Sequence, residues 1–186
     1  MYDNGSLIKY LDDLAAKKPA PGGGSASAMA GALGAGLLSM VVNFTLGKPK
    51  YAAYEKDLEQ MLTDSERLRK EFLRLVDEDV AAYSSKNLER SLEVPLEICR
   101  RCSEAAALCA PLCQKGNVNL ASDVAVAAAL IEAAFTGACW NVDINLKSLN
   151  DDARTLKIRQ ELDICREEIR AIRRDTEVSI GKIIRG

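Results

Sequence analysis

A chain of 186 residues, 48% hydrophobic and 28% charged, has material for one globular core. Its 25 basic and 27 acidic residues leave a net charge of −2. That excludes the strongly basic footprint of a non-specific nucleic-acid binder, though not a local basic patch for a small anion. Apolar residues recur at three- and four-residue spacing and alternating Val/Ile/Thr runs are absent. The chain is therefore predicted to be all-α: a helical bundle in a single domain, 1–186, with two buried small-residue helices and long amphipathic helices.

In chain order, Met1–Leu11 is interrupted by Asp3 and Lys9 and lacks the apolar run of a signal peptide. A first helix is predicted over Ser6–Ala16, with Ser6 as N-cap and Leu7, Tyr10, Leu11 and Leu14 on one face. The Pro/Gly loop Pro19–Gly24 ends it. A second helix, Ser25–Leu46, is almost entirely small or apolar, which predicts burial on all sides. The uncharged stretch Pro19–Leu46 is long enough to span a bilayer, but its Ala, Gly and Ser content and its opening loop favour a buried central helix, and no membrane association is expected. Gly47-Lys48-Pro49 breaks the chain before a long amphipathic helix, Tyr51–Lys86. Pro95 is read as opening the next helix near its first turn, which runs to Gln114 with Pro111 loosening its end. Asn119–Leu149 is the second buried element, with Val126, Trp140 and Ile144 among the residues read as inward. After the capping run Asn150-Asp151-Asp152, a charged helix, Asp152–Ile184, closes the chain.

Cys99, Cys102, Cys109 and Cys113 fall at helical spacing, and one helix cannot wrap four ligands around a zinc ion. The six cysteines are read as small buried hydrophobes in a reducing cytosol, so a cytoplasmic location and no metal site are expected. With no histidine in the chain, acid–base chemistry falls to Asp, Glu, Lys, Tyr or Cys.

Three places carry candidate chemistry. In Pro19-Ala20-Pro21-Gly22-Gly23-Gly24-Ser25, the glycines expose backbone N–H groups ahead of a helix N-terminus, a setting for a carboxylate, carbonyl or phosphate. No Lys-Ser/Thr follows, so it is not a P-loop, and no strand precedes it, so it is not a dinucleotide turn. Loop physics alone leaves a binding loop and a rigid inter-helix turn equal. The second place is Asn117, Asn119, Ser122 and Asp123 at the start of the second buried helix, which later carries Asn141, Asp143 and Asn145. Asp123 is either a functional carboxylate or a helix cap, and the buried amides call for partners. The third is Asp77, Asp79 and Tyr83, which is either a site or a solvated helix end.

Taken in order, Pro-Ala-Pro-Gly-Gly-Gly-Ser, Asp77-Glu78-Asp79-Val80-Ala81-Ala82-Tyr83, Val94-Pro95-Leu96, Gly116-Asn117-Val118-Asn119 with Ser122-Asp123, and Asn141-Val142-Asp143-Ile144-Asn145-Leu146 resemble the formiminotetrahydrofolate cyclodeaminase / methenyltetrahydrofolate cyclohydrolase family. The resemblance runs from about Leu7 into the C-terminal helix. It implies an all-helical homodimer, a tetrahydrofolate site near the glycine loop and the subunit interface, and no cofactor beyond the tetrahydrofolate substrate. Lys17-Lys18 departs from the smaller or acidic residues common at that place in the family. The chain is read as the stand-alone form.

The expected reaction is hydrolysis of 5,10-methenyltetrahydrofolate to 10-formyltetrahydrofolate. The alternatives are cyclodeamination of formiminotetrahydrofolate and a non-catalytic helical dimerisation module. Asp123 is the first candidate for the acid–base carboxylate, ahead of Asp79 and Asp143. Pro21, Gly22, Gly23, Gly24 and Ser25 are expected to hold substrate, with Asn119, Ser122, Asn141 and Asn145 orienting it or water. Lys17, Lys18 and Lys147 are candidates to meet the glutamate carboxylates.

Overall fold

The computed structural model describes residues 1–2 and 4–186; Asp3 lies outside the described residues. All regular structure among the described residues is helical: α1 (Leu7–Ala15), α2 (Gly23–Asn43), α3 (Glu55–Ser85), α4 (Leu88–Ala107), α5 (Cys109–Lys115), α6 (Ala121–Leu146) and α7 (Asp152–Arg185). Short 3-10 turns, Pro49–Tyr54 and Val118–Leu120, lead into α3 and α6. The all-α bundle anticipated from the spacing is what forms.

The central helix is α2, which packs chiefly on α3 and α6; α6 in turn packs on α4 and α7. Small side chains let α2 sit this close. A Cβ at Gly34 would stand 2.8 Å from Ile131 Cγ1 of α6, so any side chain there would force the two helices to shift at this point. Phe72 of α3, Phe135 of α6 and Leu38 of α2 fill the centre, fully buried. Two stretches, Gly23–Asn43 and Val118–Leu146, are long and apolar enough to cross a membrane; here they are the two bundle helices that make the central contact.

Several local expectations change. Ser25 does not cap α2. The helix starts earlier, with Gly22 at the N-cap, and Ser25 is buried inside its first turn. Pro95 does not open a helix either: Asn87 caps α4 by accepting from the Arg90 amide at 3.1 Å, which places Pro95 in the helix interior. Pro111 stands in the first turn of α5, where its missing N–H is harmless, and the carbonyl it cannot serve is that of Ala107, the residue at which α4 ends. On α1 the buried residues are Tyr10 and Asp13, while Leu7 and Leu11 are exposed. On α6, Val126, Trp140 and Ile144 are exposed and not buried in the core, Trp140 being 68% exposed. A helix without a polar face gives no sign in its composition of which side a single chain leaves open.

Candidate active site

The N-terminus of α2, the C-terminal turns of α3 and the C-terminal turns of α6 meet at one end of the bundle. They enclose a cavity of about 280 Å³, to which the loop and α2 contribute Pro19, Ala20 and Gly22–Gly24, α3 contributes Asp79, Ala82 and Tyr83, and α6 contributes Asn141, Ile144 and Asn145. Ser91 of α4 completes the wall.

Ser25 docks α2 on α3. Its hydroxyl donates to the Val76 carbonyl at 3.0 Å and lies 3.3 Å from the Tyr10 hydroxyl, while its backbone amide donates to Asp79 Oδ2 at 2.8 Å. Asp79 thus serves the positive end of α2 as a cap supplied from another helix. Gly24 makes room for it: a Cβ there would stand 2.1 Å from Asp79 Oδ1. Burial pushes the Asp79 carboxyl pKa up from its ordinary value, and the hydrogen bond from the Ser25 amide offsets part of that shift. The result is a cavity-lining carboxyl whose charged form is disfavoured by its surroundings, a setting for proton transfer.

The two asparagines on α6 are ordered by backbone carbonyls. Asn141 Nδ2 donates to the Gly137 carbonyl at 2.9 Å, and Asn145 Nδ2 donates to the Asn141 carbonyl at 2.9 Å and to the Ser91 carbonyl at 2.8 Å. The loop approaches them closely, since a Cβ on Gly23 would lie 3.4 Å from Asn141 Nδ2.

Of the residues singled out in the sequence, the cavity brings together Pro19, Ala20, Gly22, Gly23, Gly24, Asp79, Tyr83, Asn141 and Asn145, with Ser25 immediately beneath it. Pro21 is buried and is not part of the lining. Lys17 is exposed just before the loop and Lys147 just after α6. Lys18 is ion-paired to Asp13, which also takes Lys9 at 2.6 Å and the Tyr2 hydroxyl at 2.8 Å. These contacts hold the Asp13 carboxyl well below the usual range, Lys18 foremost.

Asp123, Ser122 and Asn119 lie at the other end of the bundle. Asp123 is in the first turn of α6 and Asn141 is eighteen residues on, a span of roughly 27 Å along a helix. The cavity lining does not include Asp123. The segment leading into α6 makes a joint between helices: the Asn117 amide donates to Thr45 Oγ1 at 2.9 Å, its side chain donates to the Phe44 carbonyl at 3.2 Å, and its Oδ1 accepts from the Asn119 amide at 3.2 Å. Asp143 faces a separate recess lined with Arg159, Leu162, Asp163 and Arg166, with Arg159 Nε 3.7 Å away. Sequence reasoning missed Ser91, Ala82 and Ile144. Only Ser91 left a trace in the sequence, a proline four residues later.

A sequence profile described as Formiminotransferase-cyclodeaminase matches residues 6–87 and 84–164, most of the chain. The chain belongs to that family. Within the family, it is 37% identical to a methenyltetrahydrofolate cyclohydrolase of Methylorubrum extorquens, over 88% of this chain and 89% of that protein. It is 29% identical to the formimidoyltransferase-cyclodeaminase of Rattus norvegicus over 84% of this chain, and the match spans only 33% of that longer protein. A crystal structure of formiminotetrahydrofolate cyclodeaminase from Thermotoga maritima superposes with a TM-score of 0.84 at 30% identity, covering 100% of this chain and 98% of that one.

Proposed function

We propose that this protein is a folate one-carbon enzyme that hydrolyses 5,10-methenyltetrahydrofolate to 10-formyltetrahydrofolate, with Asp79 as its proton-transferring carboxylate. The observation that carries the reading is the 37% identity to a methenyltetrahydrofolate cyclohydrolase over nearly the full length of both chains. The placement of Asp79 supports the assignment of the carboxylate.

The chemistry asks for what the cavity offers. The methenyl carbon between N5 and N10 is part of a delocalised cation, which a nearby carboxylate stabilises. Water adds to that carbon as Asp79 takes one of its protons. The neutral tetrahedral adduct then receives that proton on N5, the C–N5 bond breaks, and loss of the remaining hydroxyl proton leaves the formyl group on N10, with one proton released overall. A base with a raised pKa is suited to both transfers. The backbone of Gly22–Gly24 and the Asn141 amide are proposed to hold the pterin. Lys17 and Lys147, the exposed lysines flanking the loop and α6, are proposed for the glutamate carboxylates. The reaction as written needs no cofactor beyond its folate.

A second reading is favoured by the Thermotoga maritima superposition: N10 attacks the carbon of the protonated formimino group (N5–CH=NH2+) of 5-formiminotetrahydrofolate, Asp79 moves the N10 proton to the resulting NH2, and ammonia leaves as the methenyl cation forms. A paired assay separates the two. Loss of methenyl absorbance without ammonia release from formiminotetrahydrofolate is the expected outcome, and the reverse result assigns cyclodeamination. A chain inert to both that also shows no thermal shift with 5-formyltetrahydrofolate would be a dimerisation module, since ligand at about 100 times its Kd adds roughly 2.7 kcal/mol of stability.

The enzyme is also proposed to act as a homodimer. Exposed apolar side chains on the two adjoining helices, Leu33 on α2 with Val126 and Trp140 on α6, support this. A cytoplasmic location is proposed on the strength of its free thiols, Cys99 and Cys139 among them, which lie 3.8 Å apart and unbridged.

A further inference from the structure

A proline inside a helix lacks the amide that would bond the carbonyl four residues earlier, and its ring pushes that carbonyl aside. Pro95 stands inside α4, so the carbonyl it releases is that of Ser91. That carbonyl is taken by another helix: Asn145 Nδ2 on α6 donates to it at 2.8 Å and to the Asn141 carbonyl at 2.9 Å. A primary amide has two N–H donors and one carbonyl acceptor. Both donors of Asn145 are therefore committed, and because neither partner can donate, the amide has a single satisfied orientation. Its Oδ1 has no hydrogen-bond partner among the described residues, and Asn145 lines the same cavity as Asp79 and Ser91.

We propose that Pro95 is a positioning residue for this site. By vacating the Ser91 carbonyl it locks Asn145 with Oδ1 offered to the cavity, where that oxygen accepts a hydrogen bond from the water that attacks the one-carbon bridge. This rests on the folate reading above. Two acceptors, Asp79 and Asn145 Oδ1, take the two hydrogens of the water and leave a lone pair aimed at the carbon. Asp79 removes its proton, while Asn145 only orients and is not protonated. In cyclodeamination the same acceptor meets an N–H of the departing amine.

The test is a four-protein cycle in the hydrolysis assay: wild type, Pro95→Ala, Asn145→Ala and the double variant. The alanine in Pro95→Ala supplies a backbone amide that reclaims the Ser91 carbonyl and frees the Asn145 side chain to turn. Pro95→Ala is expected to lower kcat by about tenfold, the worth of one hydrogen bond, with KM little changed. Its Tm should rise, because a helix-interior proline has been removed. Asn145→Ala should lose at least as much kcat, and the double variant no more than Asn145→Ala alone. An unchanged kcat in Pro95→Ala, or a loss that adds to that of Asn145→Ala, overturns the proposal. Asn145→Asp, which keeps acceptor oxygens but loses both donors and leaves α4 untouched, gives an independent check: wild-type kcat there also overturns it. Inactive wild-type protein removes the folate reading and this inference together. An inactive Asp79→Asn beside a fully active Pro95→Ala removes this inference alone.

Discussion

At the scale of single residues, Asp79 does two jobs that pull in opposite directions. It caps α2 through the Ser25 amide, and it sits where burial disfavours its charge. A carboxyl whose pKa is raised by folding contributes stability below its unfolded pKa, ordinarily near 3.9, and that contribution is lost as pH rises through the folded value. At neutral pH the ionised form is therefore a net cost to the fold. Asp79→Asn keeps an oxygen to accept from Ser25 and removes the charge, so its Tm at pH 7 is expected to equal or exceed that of wild type. A lower Tm, measured by calorimetry, would mean that the carboxylate is there to stabilise the fold. The sequence presents Asp79 as a candidate but favours Asp123, because a carboxylate at the start of a nearly uncharged helix is conspicuous in a string of letters. Gly24, whose missing Cβ admits the Asp79 carboxylate, lies 55 residues away in sequence, and only folding pairs them.

Among the helices, periodicity and caps locate nearly every element, and the two prolines show where they mislead. Pro111 marks a helix start and Pro95 a helix interior, yet the residue type is the same. What distinguishes them is tertiary: Asn145 is at hand to take the carbonyl that Pro95 releases. The joint between the end of α2 and the start of α6 is likewise invisible in either helix alone. Fully buried Thr45 accepts from the Asn117 amide at 2.9 Å and donates to the Val41 carbonyl at 2.6 Å. Thr45→Val leaves that amide buried without an acceptor and is expected to cost about 1–3 kcal/mol by chemical denaturation. Because the joint is at the far end of the bundle from the cavity, folate turnover at a temperature where the variant is folded should be unchanged. A large loss of turnover would tie the two ends together.

For the whole molecule, composition and spacing make the all-α class legible, but not which faces a single chain leaves uncovered. Trp140 and Ile144 have the apolar character of core residues, and on one chain they are surface, 68% and 63% exposed. If a second copy covers this face, Trp140→Glu should shift the protein from dimer to monomer in sedimentation equilibrium, and a wild-type monomer at assay concentrations would contradict the proposed assembly. The larger question is which end of the bundle carries the chemistry: the cavity with Asp79, or the start of α6 with Asp123. Turnover of 5,10-methenyltetrahydrofolate by Asp79→Asn and by Asp123→Asn, each verified as folded, answers it. The account predicts that Asp79→Asn loses on the order of 10²–10⁴-fold in kcat while Asp123→Asn stays close to wild type. Full activity in Asp79→Asn with loss in Asp123→Asn would contradict it.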